Sequence, residues 1–293
     1  MHKAGFVNII GSPNVGKSTL MNVMVGERLS IITSKAQTTR HRILGIVNDE
    51  NYQIVFSDTP GIVDPAYKMH EGMMNFVNSA ISDADVILLM VEVKEKEFKN
   101  TDILEKLKKI KTPIIFLINK IDEVDQAFLE EKVNYWSAEL PKAKIFPIAA
   151  LHHFNVDQVL MEIKALLPKS PPFFDKDALT DKPERFFVSE IIREKILLNY
   201  KKEIPYSCEV EVEEFKEEKN LIRIRAVIMV IRESQKGIII GHRGKDLKKV
   251  GTQARVDIEK FLDKKVFLEL FVKVNKDWRN NEIQLKRFGY LNR

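Results

Sequence analysis

The chain has 293 residues, of which 44% are hydrophobic and 30% charged, so we expect a globular protein with more than one small core. No apolar run approaches the about 18 residues of a membrane-spanning helix, and the N-terminus lacks the apolar stretch of a secretory signal. The single cysteine, Cys208, excludes an intrachain disulfide and fits a reducing cytosol. We therefore expect a cytoplasmic protein of two domains.

The net charge of +5 is unevenly distributed along the chain. Residues 1–175 carry 20 basic and 22 acidic side chains, whereas residues 176–293 carry 27 and 20. An excess of Lys and Arg in one part favours a polyanionic partner there, and a solvated basic surface is the alternative.

The strongest local signal is Gly11–Ser18, which fits the pattern G-x-x-x-x-G-K-[ST] of a phosphate-binding loop. A short alternating strand, residues 5–10, precedes it, and a helical pattern opens at Thr19. Backbone N–H groups and the helix N-terminus would hold phosphate oxygens. Lys17 would then reach the β- and γ-phosphates, and the Ser18 hydroxyl would ligate Mg²⁺.

The first part of the chain alternates strands and helices. Nearly continuous apolar runs at 54–56, 86–91 and 114–118 predict strands buried on both faces of a mostly parallel sheet. Residues 101–110 and 129–140 have helical periodicity. These patterns predict an α/β domain of three layers, with ligand-binding loops at the carboxyl ends of the strands.

Two polar motifs follow such strand ends. In Asp58-Thr59-Pro60-Gly61, the carboxylate can hold a Mg²⁺ shell and the Gly61 N–H can approach a γ-phosphate. In Asn119-Lys120-Ile121-Asp122, the Asp122 carboxylate can accept two hydrogen bonds from guanine, whereas adenine offers neither donor on that edge. Each motif alone is an ordinary turn, but their order and spacing after a phosphate loop favour a guanine nucleotide.

Gly11–Ser18, Asp58–Gly61 and Asn119–Asp122 together resemble the first, third and fourth signature motifs of translation-factor-class GTPases. Between the first two, Gln37–Arg42 resembles the switch I motif of the Era-like branch. This resemblance implies a P-loop GTPase that uses GTP and GDP with Mg²⁺. It implies Thr39 as the magnesium-binding threonine, with Thr38 as the alternative.

The fifth motif would be Ile148–Leu151, where Ala149 replaces the usual serine and the Ala150 backbone would contact the guanine oxygen. Ile62 stands where Ras-like proteins have a water-orienting glutamine, so slow intrinsic hydrolysis is expected. The water would then be placed by backbone groups, Thr39, a potassium ion or a partner. Asn14 stands where similar GTPases ligate K⁺.

The resemblance implies a catalytic set and a metal-binding set. The catalytic residues would be Lys17, Thr39, Asp58 and Gly61, and the metal ligands Ser18, Thr39 and Asp58. The nucleotide-binding residues would be Gly11, Ser12, Pro13, Asn14, Val15, Gly16, Lys17, Ser18, Thr19, Asp58, Thr59, Pro60, Gly61, Ile62, Asn119, Lys120, Asp122, Ala150 and Leu151.

A proline-rich stretch separates this domain from the rest of the chain. Residues 168–174 contain three prolines, which interrupt both helices and central strands. We place a boundary near residue 172, with a nucleotide-binding domain at 1–170, a linker at 171–180 and a second domain at 181–293.

The second domain has the pattern of a smaller α+β fold. A helix at 186–200, strands at 208–213 and 221–231, and a helix at 246–262 are followed by a strand at 266–274. The tetrapeptide Gly241-His242-Arg243-Gly244 stands before the second of these helices. This order and the G-x-x-G turn resemble a type II KH domain, whose clamp grips about four nucleotides of single-stranded nucleic acid. A plain helix–turn–helix corner is the alternative.

The KH resemblance implies an RNA-binding set on and after the clamp, with an apolar surface near Ile238 and Ile240 to receive bases. The residues are Ile240, Gly241, His242, Arg243, Gly244, Lys245, Lys248 and Lys249. A last helix at 281–290 would either extend the RNA surface or pack on the sheet.

The two domains in this order resemble the Era family of bacterial ribosome-assembly GTPases over nearly the whole chain. The family clamp usually has the pattern G-x-G-G, so Arg243 is a departure. The resemblance implies a switch that hydrolyses GTP, binds the 3′ end of 16S ribosomal RNA and assists maturation of the 30S subunit. It also implies a monomer, with a peripheral contact at the inner face of the cell membrane as a further candidate.

Two other functions fit parts of the sequence. One is a passive RNA-binding module whose nucleotide site serves only stability, which RNA-stimulated turnover would argue against. The other is an Era-like GTPase that acts on membranes or in tRNA modification, for which the sequence offers no amphipathic anchor and no C-terminal modification cysteine.

Overall fold

The computed structural model describes residues 2–98 and 100–291, which divide into two units. Unit 1 takes in the described residues up to Ser30, Thr39–Ala66 and His70–Asp181. Unit 2 takes in Ile31–Thr38, Tyr67–Met69 and the described residues from Lys182 onward. No helix among the described residues has both the length and the apolar character needed to cross a membrane.

Unit 1 is built on a six-stranded sheet with the strand order β2-β3-β1-β4-β5-β6. Its strands are β1 (Lys3–Gly11), β2 (Ile43–Asn48), β3 (Tyr52–Asp58), β4 (Val86–Glu92), β5 (Ile114–Asn119) and β6 (Lys144–Pro147). The pair β2–β3 is antiparallel and the other pairs are parallel. The predicted mostly parallel sheet is confirmed, and every residue from Val86 to Val91 is buried, as a strand covered on both faces requires.

Helices connect these strands and bury apolar faces against the sheet. They are α1 (Lys17–Val25), α2 (Lys68–Ser82), α3 (Thr101–Lys109), α4 (Gln126–Glu139) and α5 (Val156–Leu166). Side-chain caps start two of them: Asn100 Oδ1 accepts the Ile103 N–H at 3.0 Å, and Asp125 Oδ1 accepts the Phe128 N–H at 2.9 Å. Strands β2 and β6 and helices α2 and α5 were not among the predicted elements.

Residues 168–181, which we call the edge strap, belong to unit 1 and are hydrogen-bonded to its sheet, with residues 178–181 lying along β2. The Leu179 carbonyl accepts the Ile46 N–H at 2.8 Å, and the Thr180 hydroxyl donates to the Leu44 carbonyl at 2.6 Å. The Gln53 side chain accepts the Phe173 N–H at 2.7 Å. The predicted linker at 171–180 is thus hydrogen-bonded along the sheet, and the units divide after residue 181 rather than near 172.

Unit 2 keeps the predicted order of helix, two strands, helix and strand, and adds a short helix before the first strand and another before the clamp. After α6 (Glu184–Asn199) come α7 (Ile204–Ser207), β7 (Glu209–Glu217), β8 (Ile222–Val230), α8 (Glu233–Ile240), α9 (Lys245–Leu262), β9 (Val266–Val274) and α10 (Glu282–Arg287). The strand order is β7-β8-β9, with β7–β8 antiparallel and β8–β9 parallel. Helices α6 and α9 pack on one face of this sheet.

The C-terminal segment packs on the sheet, which was one of the two roles left open for it. Leu285 and Tyr290 are buried, and the Tyr290 hydroxyl donates to Glu209 Oε2 at 2.6 Å. Arg287 donates to Glu211 Oε1 at 2.5 Å. Helix α10 is shorter than the predicted helix at 281–290. It begins after its capping residue, Asn281, and ends at Arg287.

Candidate functional site

The predicted phosphate loop lies where β1 ends and α1 begins. Lys17 is buried, and its Nζ donates to the carbonyls of Gly11 at 3.1 Å and Ser12 at 2.8 Å. Burial lowers the pKa of Lys17 to about 8, against the opposing pull of the Asp58 and Glu95 carboxylates. The loop therefore holds a buried cation that an anionic ligand would stabilise in its charged form.

The three predicted metal ligands converge at the end of β3. The Ser18 hydroxyl donates to Asp58 Oδ2 at 2.7 Å, and the Thr39 hydroxyl donates to the same oxygen at 3.2 Å. The two hydroxyl oxygens are 2.8 Å apart. Burial raises the pKa of Asp58, which these hydroxyls and Lys17 oppose. Of the two threonines considered, Thr39 lies in this cluster, whereas the Thr38 hydroxyl donates to the Lys35 carbonyl at 2.6 Å.

This cluster fits a Mg²⁺ ion. Asp58 Oδ1 is buried and has no hydrogen-bond partner among the described residues. A carboxylate and two hydroxyls are the hard oxygen donors that Mg²⁺ prefers, with its remaining positions left for water and phosphate oxygens. The buried Oδ1 is thus available as a ligand atom for the ion.

The segment after Asp58 lies against the phosphate loop. The Thr59 hydroxyl donates to the Ile9 carbonyl at 2.7 Å. A Cβ at Gly61 would lie 2.8 Å from Pro13 Cα, so only glycine allows this backbone approach. The Ile62 side chain is buried in the core, and its N–H donates to the Gly11 carbonyl at 3.2 Å. Residue 62 therefore contributes no polar side chain that could orient water.

The predicted base-binding motif holds the surrounding loops together. Asn119 Nδ2 donates to the Val15 carbonyl at 2.7 Å, and Asn119 Oδ1 accepts the Ala150 N–H at 2.9 Å. The Ala150 N–H, which was expected to meet the guanine oxygen, thus already has a protein acceptor. Lys120 pairs with Glu92 at 2.7 Å. The Asp122 carboxylate is 40% exposed, which leaves it accessible to a base.

Ala149 keeps its loop closed without the usual serine hydroxyl. Its N–H donates to the Phe154 carbonyl at 3.3 Å, and its carbonyl accepts the Phe154 N–H at 3.1 Å. Ala149 and Ala150 are buried, whereas the Leu151 side chain is exposed. The softening of this loop that the Ala149 departure suggested is offset by this backbone pair.

Sequence reasoning missed two residues of this site. Glu95 accepts the Ser12 hydroxyl at 2.5 Å, and His152 Nε2 lies 3.5 Å from Asp122 Oδ2. Glu95 comes three residues after the end of β4, and loops after neighbouring parallel strands converge at one edge of the sheet. That position was the available signal for Glu95.

The predicted clamp of unit 2 is a left-handed turn between α8 and α9. Gly241, Arg243 and Gly244 have φ angles of 71°, 51° and 78°. A Cβ at Gly241 would lie 2.1 Å from Asp246 Oδ2, so glycine is required there. Arg243 adopts a conformation in which a side chain is strained, which gives a physical reason for glycine at this position in the usual G-x-G-G pattern.

A groove of about 350 Å³ opens beside this clamp, between α9 and β9. Its lining residues are Gly244, Leu247, Lys248, Gly251, Thr252, Arg255, Leu268 and Leu270. The set contains two of the eight predicted RNA-binding residues, Gly244 and Lys248. The others lie at the end of α8, on the clamp or elsewhere on α9: Ile240, Gly241, His242, Arg243, Lys245 and Lys249.

The apolar lining of the groove differs from the prediction. It consists of leucines of α9 and β9, whereas Ile238 and Ile240 belong to helix α8 and Ile240 packs against the core of unit 2. The prediction took residues 238–240 as an apolar turn, but they complete a helix. Arg255 was also missed, although Lys248, Gly251 and Arg255 share one face by their helical spacing.

Both parts of the chain match known protein families. A family model described as a 50S ribosome-binding GTPase matches residues 6–120, and one described as a KH domain matches residues 203–279. GTPase Era of Ruminiclostridium cellulolyticum is 44% identical over 291 residues, which cover 99% of this chain and 98% of that protein. GTPase Era of Geotalea daltonii is 47% identical over 289 residues, which cover 98% and 97%.

Two solved structures match almost the full chain. A variant of Aquifex aeolicus Era bound to GDP and AlF₄⁻ is 38% identical, with a TM-score of 0.94 over 98% of this chain and 99% of that one. Era in complex with MgGDPNP and nucleotides 1506–1542 of 16S ribosomal RNA is 38% identical, with a TM-score of 0.95 over 99% of each.

The lowered pKa of Lys17 predicts that phosphate binding takes up a proton. A bound polyphosphate raises this pKa, so above about pH 8 binding must first protonate Lys17 and affinity falls by up to about tenfold per pH unit. Titration calorimetry of GDP near pH 8.5, run in two buffers of different ionisation enthalpy, should give an uptake of up to about three quarters of a proton per site.

The matched control for this measurement is Lys17→Arg. A guanidinium stays charged throughout this range, so the variant should bind without proton uptake. Equal proton uptake by the two proteins would contradict the assignment to Lys17.

Proposed function

Because this chain belongs to the Era family of GTPases, we propose that it is a GTP-driven switch that binds the 3′ end region of 16S ribosomal RNA and assists assembly of the 30S subunit. It hydrolyses GTP to GDP and phosphate. One observation carries the RNA part of the proposal: the match over 99% of the chain to an Era structure in complex with MgGDPNP and nucleotides 1506–1542 of that RNA.

The nucleotide site has one part that binds the phosphates and another part that would respond to the γ-phosphate. The phosphate-loop amides and Lys17 bind the phosphates, and Ser18 and Asp58 offer oxygen ligands from α1 and β3. When bound, Mg²⁺ would be held by Ser18, Asp58 and Thr39 and would neutralise negative charge on the phosphates. Thr39 and Gly61 lie on the two segments that would sense the γ-phosphate, so they would be held with GTP and released after hydrolysis.

Hydrolysis proceeds here without a polar side chain at residue 62. The buried Ile62 leaves the attacking water to backbone groups, to Thr39 or to an ion near Asn14. Asn14 is exposed in the phosphate loop with a φ of 65°. We therefore expect a slow intrinsic rate, with K⁺ as a candidate activating ion.

The clamp and the groove of unit 2 supply the chemistry for single-stranded RNA. Lys248 and Arg255 provide positive charge on one face of α9, and leucines line the groove where a base would lie. Nothing lies within 4 Å of a Cβ placed on Gly244, so a phosphate can approach the backbone at that point.

The remaining expectations follow from the sequence and stay predictions. We expect a monomer that works in the cytoplasm on ribosomal particles. A peripheral contact with the inner face of the cell membrane stays a prediction without support from the relatives described above.

The base assignment predicts that Asp122→Ala abolishes guanine selection. The guanine N1–H and exocyclic amine would lose their acceptor, so GTP affinity should fall at least about 100-fold and the preference over ATP should largely disappear. Fluorescent-nucleotide titration measures both. Asp125→Asn is the matched control because it neutralises a nearby carboxylate but keeps a capping side chain for α4. Undiminished GTP preference in Asp122→Ala would refute the assignment.

The potassium hypothesis predicts faster turnover in potassium buffer than in sodium buffer at equal ionic strength. An added cation near the phosphates stabilises the charge that develops in the transition state. The difference should disappear in Asn14→Gly, while GDP affinity stays within about threefold because glycine accepts the φ of 65° at this position and leaves the loop amides in place. Equal wild-type rates in the two salts would rule the ion out.

The RNA proposal predicts binding to a fragment from the 3′ end of 16S ribosomal RNA through the groove. Lys248→Gln should weaken binding and reduce the slope of log affinity against log salt by about one, because one phosphate contact is lost. Lys260→Gln is the matched control, since Lys260 lies on the same helix, is exposed and does not line the groove.

Crosslinking to small-subunit particles tests the target itself. Crosslinks from wild-type protein should map to the 3′ end region of the RNA. A map confined to other regions would overturn the proposed target, and equal affinities of the two lysine variants would overturn the proposed groove.

A further inference from the structure

A carboxylate from another loop of unit 1 lies against the phosphate loop. Glu95 accepts the Ser12 hydroxyl through Oε1 at 2.5 Å. The Glu95 N–H donates to the Glu92 carbonyl at 2.8 Å, in a turn at the end of β4. Glu95 is half-buried, so water screens its charge only in part. The phosphate loop therefore has a second carboxylate beside it, in addition to Asp58.

Glu95 and Lys17 are bonded to the same residue of the loop. The Ser12 hydroxyl donates to Glu95, and the Ser12 carbonyl accepts Lys17 Nζ at 2.8 Å. Burial lowers the pKa of Lys17 to about 8, and the Asp58 and Glu95 carboxylates oppose that shift because they attract the ammonium group. A bound phosphate and the Glu95 carboxylate would thus lie near one cation, where two anions repel each other.

Glu95 binds the phosphate loop at the end where the γ-phosphate is expected. The next residue of the loop, Pro13, lies against Gly61, whose N–H is expected to approach the γ-phosphate: a Cβ placed on Gly61 would be 2.8 Å from Pro13 Cα. Further along the loop, the Val15 carbonyl accepts Asn119 Nδ2 at 2.7 Å, and Asn119 belongs to the predicted base-binding motif. The carboxylate is therefore attached at the γ-phosphate end of the loop rather than at its base end.

We propose that Glu95 is a specificity-determining residue of the nucleotide site: its carboxylate disfavours the γ-phosphate and so shifts the preference of the protein from GTP toward GDP. Both nucleotides are anions, but GTP carries one more phosphate group, which is expected at the end of the loop that Glu95 binds. The carboxylate thereby lowers the affinity for GTP more than the affinity for GDP. This inference rests on the proposed function as a GTP-driven switch, whose two states differ in that phosphate group.

The test is Glu95→Gln, which removes the charge and keeps an oxygen that can accept the Ser12 hydroxyl. The affinity for a non-hydrolysable GTP analogue should rise about tenfold and the affinity for GDP about threefold, because the lost repulsion acts most on the additional phosphate. Release of the analogue should slow by a similar factor. Fluorescent-nucleotide titration and stopped-flow release measure these values, at about pH 6.5 so that Lys17, with a pKa of about 8, is protonated.

Two further variants separate the charge of Glu95 from a structural role. Glu97→Gln removes the same charge from an exposed position in the same loop, so both affinities should stay within about twofold. Ser12→Ala removes the hydroxyl that holds Glu95 and should shift the GTP-over-GDP preference in the same direction as Glu95→Gln. The double variant Ser12→Ala/Glu95→Gln should show no larger shift than Glu95→Gln, because both changes remove one interaction.

A gain in affinity distinguishes the proposal from a merely structural contact, whose loss weakens binding. Affinities that fall in Glu95→Gln, or that rise equally for the analogue and GDP, would overturn the proposal. An equal shift in Glu97→Gln would also overturn it, since net charge would then be the cause. Should Glu95→Gln not fold, an unshifted preference in Ser12→Ala would overturn it.

A separate measurement tests the switch on which this inference rests. Equal affinity of the wild-type protein for the ribosomal RNA fragment with GDP and with the GTP analogue would refute the proposed switch. The nucleotide affinities of Glu95→Gln do not depend on RNA, so they test the role of Glu95 alone.

Discussion

The fully buried carboxylate of Asp58 is the constraint on which the rest of the site depends. A charge without water is tolerated only when partners surround it, and Asp58 takes the hydroxyls of Ser18 and Thr39 through one oxygen. Ser18 lies in the first turn of α1, Thr39 lies in a loop, and Asp58 ends β3. The Asp58 carboxylate therefore connects three segments of the chain. A change of charge at Asp58 therefore changes how firmly the loop that carries Thr39 is bound.

Much of the nucleotide site could be predicted because its chemistry fixes residue types at fixed distances from strand ends. Gly11, Asp58 and Asn119 end three strands that the sheet brings to one edge: β3 and β4 flank β1, and β5 follows β4. Local periodicity was equally informative in the second part of the chain, where the predicted strand at 266–274 has the same bounds as β9. In both cases the signal is carried by neighbouring residues.

Several of the features that sequence reasoning missed join distant parts of the chain. The bond from Arg193 to the Thr38 carbonyl spans 155 residues and ends on a backbone atom, which any residue type would supply. The groove gains its apolar lining from α9 and β9 together, so neither element predicts it alone. Residues 171–180 were taken for a linker, because most of their hydrogen bonds to β2 and to Gln53 use backbone groups, which the sequence does not distinguish.

The edge strap has a consequence for how the protein is made. An uncovered edge strand offers its N–H and C=O groups to any other chain, which is a route to aggregation. The Leu44 carbonyl on β2 accepts a hydrogen bond from the hydroxyl of Thr180, which lies 136 residues further along the chain. While the polypeptide is still emerging from the ribosomal tunnel, the sheet of unit 1 keeps one side open until Thr180 and Asp181 have left it. The edge strand β2 of the nascent chain is therefore covered only after these residues have been synthesised. The edge strap is thus the last part of unit 1 to fold, and it is not merely a spacer before unit 2.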